Sequence, residues 1–286
     1  MLAATEFRES LLHDWAWRSV KRALKPISPQ WLLNWREKRF YEKFGEIELQ
    51  LLDILCDPSR DSLDVGANDG SFVHFLRSRS KTVHAFEPMP EQVATLHRKF
   101  RGGNVVIHPM ALSREAGTIE LHLPVVDGVV VTGCATVATA AAAGYPSRHS
   151  VSVRMDRLDN VYRGDAGFIK IDVEGHQQAV LDGAVETFRR CRPRVLVEII
   201  EEMSPGGFGQ ATAFFDALAY RGYFINEGLL YPIAEFSPQV LQRPENRPDL
   251  LAHPSEDRGA YLYNFIFLPA ETVDDDLDRI RRRLSA

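Results

Sequence analysis

From residue 60 onward, short apolar runs alternate with stretches in which apolar residues recur every three to four positions. The runs are strand signals and the longer period is that of amphipathic helices. A strand is expected at 62–65, with Leu63 and Val65, followed by a helix at 70–79 carrying Phe72, Val73, Phe75 and Leu76. Strand 82–86 and helix 90–100 come next, then a strand at Val105-Val106-Ile107 that runs into His108-Pro109-Met110-Ala111. Residues 118–123 and 151–155 alternate like strands on either side of a Gly-, Ala-, Val- and Thr-rich segment, 125–144. We expect that segment to be a loop or short helix over the site. A buried strand around Phe168, Ile169 and Ile171 precedes a helix marked by Val180, Leu181, Ala184, Val185 and Phe188. Strand 194–200, helix 210–221, strand 223–226, a Pro- and charge-rich insertion at 233–258, strand 261–268 and a charged tail helix at 271–284 complete the chain. Alternation of this kind predicts an α/β fold, with a mostly parallel, Rossmann-like sheet and helices on both faces. Ligands of such sheets sit at the C-terminal strand ends.

Residues 1–58 read differently. Pro26 and Pro29 divide them into helices at 6–25 and 30–44, with a third near 46–56. All four tryptophans, Trp15, Trp17, Trp31 and Trp35, lie here among Arg18, Lys21, Arg22, Lys25, Arg36, Lys38, Arg39 and Lys43. Such a segment can cap the main domain, form a homo-oligomer contact, or meet an anionic membrane or glycolipid surface through residues 1–45. The expected division is an N-terminal helical extension at 1–58, a main domain at 59–270 and a C-terminal helix at 271–286.

Composition narrows the class. The hydrophobic share of 45% and charged share of 26% are those of a soluble globular chain. The net charge of -5 offers nothing to a phosphate backbone, so no nucleic-acid partner is expected. Cys56, Cys134 and Cys191 are scattered, form no Cys-x-x-Cys, and suit a reducing cytoplasm. No apolar run is long enough to span a membrane. The expected location is therefore cytoplasmic, with the inner membrane face left open by the basic N-terminus.

The turn after the first strand carries the chemistry. Asp64-Val65-Gly66-Ala67-Asn68-Asp69-Gly70-Ser71 joins strand to helix, and Glu87-Pro88 ends the next strand. A pyrophosphate site asks for a further glycine where this chain has Asn68. A carboxylate two residues before the first glycine repels phosphate but attracts an ammonium. Glu87 is placed to accept hydrogen bonds from ribose hydroxyls. This combination favours S-adenosyl-L-methionine over a dinucleotide. The candidate cofactor-binding residues are Asp64, Gly66, Ala67, Asn68, Gly70, Ser71, Glu87 and Pro88, with Met110 and Ala111 beside the adenine and Asp172 beside the methionyl part.

The second informative stretch is Ile169-Lys170-Ile171-Asp172-Val173-Glu174-Gly175-His176. With period two, Lys170, Asp172 and Glu174 would share one side if the strand geometry continued. The candidate catalytic residues are His176, Asp172 and Glu174. A hydroxyl needs activation, and the ordinary histidine pKa of ~6.5 suits His176 as a base. A divalent metal on Asp172, Glu174 and Glu198 is the competing mechanism; an Asp172–Lys170 pair, without metal, is the reading preferred here.

Together the stretches Asp64–Gly70 and Ile169–Gly175 resemble the FkbM-type methyltransferase family. Phe86-Glu87-Pro88, Arg157-Leu158-Asp159, Leu181-Asp182-Gly183-Ala184 and Asn264-Phe265-Ile266-Phe267 add to the likeness, which covers about 60–270. The resemblance implies the class I methyltransferase fold: seven strands, the last antiparallel and inserted between the fifth and sixth. It implies O-methylation, often of a sugar or polyketide-type hydroxyl. The family commonly has Glu two residues after Val-Glu-Gly, where this chain has Gln177. Three readings of function follow: an O-methyltransferase on a sugar, glycan or secondary metabolite, an N-methyltransferase on an amine, and a cofactor-binding scaffold without catalysis.

Overall fold

The computed structural model describes residues 47–126, 129–130, 148–246 and 260–285. The expected helices at 6–25 and 30–44, most of the 125–144 segment, and residues 247–258 of the insertion lie outside the described residues. The chain divides into two compact units, 1–46 and 47–286. The division falls before the expected boundary at 58. Leu51, Leu52 and Leu55 are fully buried, so the short helices Ile47–Leu51 and Leu52–Leu55 belong to the second unit.

Among the described residues the strands are, in chain order, β1 (Asp61–Val65), β2 (Val83–Phe86), β3 (Val105–His108), β4 (Ala111–Leu112), β5 (Gly117–Val126), β6 (Val129–Val130), β7 (Arg148–Asp156), β8 (Ala166–Ile171), β9 (Arg194–Glu198), β10 (Tyr220–Asn226), β11 (Leu229–Pro232) and β12 (Asn264–Pro269). Eight of them form the central sheet in the order β11-β10-β12-β9-β8-β1-β2-β3. The pairs β1/β2, β2/β3, β1/β8 and β8/β9 are parallel, and β12 runs antiparallel between β9 and β10. This is the strand arrangement of a class I methyltransferase.

The eighth strand, β11, exceeds the expected seven. Glu227 and Gly228 both have positive φ, 49° and 75°, which gives the two-residue turn that matches strand twist. Asn226 then pairs with Leu229. The helix expected at 210–221 runs instead from Gly207 to Ala217. Ala219 turns left-handed at φ 56° and sends Tyr220 and Arg221 into β10. No glycine marks that stop, which is why the sequence pattern carried the helix too far.

A second, four-stranded sheet has the order β4-β7-β5-β6. Both strands expected from alternation are in it, and both are longer than their apolar pattern. β5 continues through Val126 into residues expected to be loop. Leu121, Leu123 and Val153 pack on Met89, with Ile119, Val151 and Ala111 around them, so this sheet leans on the rim of the central one.

Between β8 and β9 the chain forms two helices, Gln177–Asp182 and Val185–Cys191, rather than one. At the break, a Cβ on Gly183 would lie 2.0 Å from the Ser113 carbonyl oxygen. The glycine lets the helix end approach β4. Asp159 closes the join by accepting hydrogen bonds from the backbone N–H groups of Glu186 and Thr187 at 3.0 and 2.8 Å.

Candidate active site

The turn after β1 is held by its neighbours. The N–H groups of Gly66 and Ala67 both donate to the Phe86 carbonyl at 3.0 Å, and the N–H of Asp172 donates to the Val65 carbonyl at 2.9 Å. Gly66, Asn68 and Gly70 all have positive φ. Asn tolerates that region better than most residues, so the missing middle glycine does not prevent the turn. The glycines serve packing rather than ligand approach. A Cβ on Gly66 would lie 1.8 Å from the Asp172 carbonyl oxygen, and one on Gly70 would meet Phe100 and Leu96 at 2.5 and 2.7 Å.

A cleft opens above the strand ends, with about 710 Å³ of empty space counted out to its mouth. Its walls come from successive crossovers: Val65, Gly66 and Asn68 after β1, Phe86 to Met89 after β2, Met110 to Leu112 after β3, and Asp172, Val173, Glu174 and His176 after β8. Leu121 completes it from the second sheet. Of the residues expected at the cofactor, Gly66, Asn68, Glu87, Pro88, Met110, Ala111 and Asp172 are on this wall. Asp64, Ala67, Gly70 and Ser71 are not. Asp64 is fully buried beneath the turn, Gly70 faces Phe100, and the Ser71 hydroxyl is bonded to Asp69 at 2.5 Å. Met89, Leu112 and Leu121 are wall residues that sequence reasoning did not select. Met89 follows directly on Glu87-Pro88, whereas nothing local to Leu121 marks it.

Glu87 is 5% exposed, and each of its oxygens already accepts a backbone hydrogen bond: Oε2 from Asn68 and Oε1 from Met89, both at 2.8 Å. A carboxylate has further lone pairs, so it can brace the turn and still accept from a hydroxyl. Burial raises its pKa above the usual carboxylate range, against the pull of those two N–H groups.

Beneath the cleft, Lys170 links two acids. Its Nζ lies 2.9 Å from Asp172 Oδ2 and 3.9 Å from Asp64 Oδ1, and 4.5 Å from the Phe72 ring centre. Both Asp64 oxygens are buried without a hydrogen bond of ordinary length. Burial pushes the Asp64 pKa up to about 6, while Lys170 pulls it down. The shared side expected for Lys170, Asp172 and Glu174 does not extend past Asp172. β8 ends at Ile171, and Glu174 turns left-handed at φ 46°.

His176 Nε2 lies 3.0 Å from the Ser113 hydroxyl. Burial, and then the nearby Arg114 cation, lower its pKa to about 4, well under the value assumed for a histidine base. The ring is therefore neutral near pH 7. Asp172, Glu174 and Glu198 each offer a carboxylate oxygen, all within 4.8 Å of one another. These three could hold a hard cation, although Lys170 already occupies one Asp172 oxygen.

The description "Methyltransferase FkbM domain" matches residues 64–225, more than half of the chain. The chain belongs to the FkbM methyltransferase family. Its cofactor is S-adenosyl-L-methionine. The cleft fits that group: it combines apolar side chains with the buried Glu87 carboxylate, and Asp64 lies beneath, paired with Lys170 at 3.9 Å. A search of curated proteins found no match. Among solved structures, a methyltransferase FkbM from Methylobacillus flagellatus KT is 13% identical over 74% of this chain and 44% of that one, with a TM-score of 0.45. An rRNA methylase from Streptococcus thermophilus is 10% identical over 78% and 94%, with a TM-score of 0.38. SMU.1697c from Streptococcus mutans, in complex with SAH, is 10% identical over 77% and 94%, with a TM-score of 0.37. At such identities no residue-level correspondence follows. No described helix is long and apolar enough to cross a membrane.

Proposed function

We propose that this FkbM-family methyltransferase transfers its methyl group to a hydroxyl of a sugar, glycan or similarly hydroxylated secondary metabolite. The observation that carries the reading is the gathering of Asp172, Glu174 and Glu198 within 4.8 Å, with Asp172 and Glu174 on the same cleft wall as His176. Neighbouring carboxylates accept hydrogen bonds from neighbouring hydroxyls, and they repel the phosphates of a nucleic acid.

The bound cofactor supplies an electrophilic methyl on a cationic sulfur. The chain's own residues do the rest. Asp172, oriented by Lys170 at 2.9 Å, and Glu174 hold the acceptor. His176, kept neutral by burial and oriented by Ser113, takes the hydroxyl proton at a ring nitrogen. A base this weak suffices late in the reaction, because the attacking oxygen becomes strongly acidic as its bond to carbon forms. The same carboxylates would also attract an ammonium, so an amine acceptor is the second reading.

The test is a panel of nucleotide sugars, oligosaccharides, macrolides and small amines incubated with labelled cofactor. Hydroxyl products are expected, with turnover falling about 10²–10⁴-fold in His176→Ala at little cost to cofactor affinity. Label on amines alone overturns the O-methyl reading. Near-normal turnover in the variant removes His176 from the mechanism.

A further inference from the structure

We infer that the second sheet takes part in holding the cofactor, with Leu121 of β5 forming the apolar wall against its adenine. This rests on the cleft being the S-adenosylmethionine site. The sheet order β8-β1-β2-β3 sets the layout. Adjacent strands lie about 4.8 Å apart, so the exits of β8 and β3 are roughly 14 Å from each other. Asp172 and Glu174 stand at the β8 exit, Glu87 follows β2, and Met110 follows β3. The cleft is thus charged at one end and apolar at the other. The cofactor has the same division, with ammonium and carboxylate at one end, a flat heteroaromatic base at the other, and the ribose between.

At the apolar end, Met89 and Met110 come from the central sheet's crossovers, and Leu121 joins them from the second sheet. Leu121 belongs to the separate cluster with Met89, Leu123 and Val153. It is 4% exposed, yet it borders the cleft. Leu123, two residues along and on the same side of the strand, is 1% exposed in the same cluster and is not on the cleft wall. The strand thus supplies its own control: one leucine at the ligand surface and one behind it. Aliphatic and thioether groups make a good surface for an aromatic ring, since the contact removes apolar area from water on both sides.

The experiment is calorimetry on the full chain with S-adenosylmethionine and S-adenosylhomocysteine, and competition with adenosine. The variants are Leu121→Ala, Leu121→Met, Leu123→Ala and Glu87→Ala, each checked for a cooperative thermal transition. Leu121→Ala is expected to weaken all three ligands by about tenfold, the scale of one partly buried aliphatic contact. Leu121→Met is expected to restore most of the affinity, and Leu123→Ala to lower the melting temperature with affinity kept within about twofold. Equal weakening by Leu121→Ala and Leu123→Ala would make the effect structural and overturn the inference. So would an unchanged adenosine affinity in Leu121→Ala. If Glu87→Ala leaves binding intact as well, the cofactor placement itself has failed; if Glu87→Ala weakens binding and Leu121→Ala does not, only the second sheet's role has.

Discussion

Replacing Glu87 by Gln tests the cofactor site most directly, because its bracing of the turn can be measured apart from the ribose contact proposed for it. Both carboxylate oxygens accept a backbone N–H at 2.8 Å, from Asn68 and from Met89. An amide has one oxygen, so its NH₂ must face one of those two donors. One buried N–H then loses its partner, at a cost of about 1–3 kcal/mol. Burial also raises the Glu87 pKa, so the ionised carboxylate carries a desolvation penalty that Gln does not. That relief offsets part of the loss, and a drop in melting temperature of a few degrees is expected. The ligand loses at most a whole hydroxyl–carboxylate hydrogen bond, roughly 1.5–3 kcal/mol or about 10- to 150-fold in Kd, because the amide keeps one acceptor oxygen. Calorimetric titration with S-adenosylmethionine and thermal unfolding without it would be run on the same preparation of Glu87→Gln. A lowered melting temperature with Kd within about twofold of wild type refutes the reasoning: Glu87 would brace the turn and nothing more.

Three further outcomes follow from the charges around the cleft. Asp64 carries a pKa near 6 in the folded protein against a usual 3.8, so between about pH 4 and 6 the folded state keeps a proton that the unfolded chain has released. Unliganded stability should therefore fall as pH rises through that window, by at most ~3 kcal/mol, and Asp64→Asn should flatten the dependence in urea titrations; an unaltered pH profile in that variant counts against the placement of Asp64. His176 is active as a base when neutral, so kcat/KM should be lost only as pH falls through about 4, and an acid limb near 6.5 would mean that another group titrates. Dialysis against EDTA should leave turnover intact, because Lys170 already neutralises Asp172; loss of activity restored by a divalent cation would assign Asp172, Glu174 and Glu198 to a metal.

The cleft combines residues with very different visibility in the sequence. Asn68, Glu87 and Asp172 stand at the C-terminal ends of apolar runs, and their positions follow from strand period and crossover order. Asp64 stands in the same motif, yet it lies under the turn, because β1 is an interior strand buried on both faces. Gly66 and Gly70 are demanded by the turn, but what crowds them is protein, the Asp172 carbonyl in one case and Phe100 in the other. A spacing motif cannot tell those two reasons for a glycine apart.

Local pattern determined the order of strands and helices, the mostly parallel sheet and the carboxylates at the strand ends, while the resemblance carried by Asp64–Gly70 and Ile169–Gly175 supplied the family and its antiparallel strand. The first three follow from short-range physics: apolar period, turn conformation, and the cost of charge at a buried strand end. Tertiary structure decided the rest. It brought Leu121 from a second sheet to the cleft, and set Ser113 against His176 across 63 residues of chain. It drew Glu198 up to Asp172 and Glu174, and lowered the His176 pKa by burying the ring. Each of these depends on contacts between segments far apart in the chain, and on solvent exclusion that exists only once the whole sheet has closed.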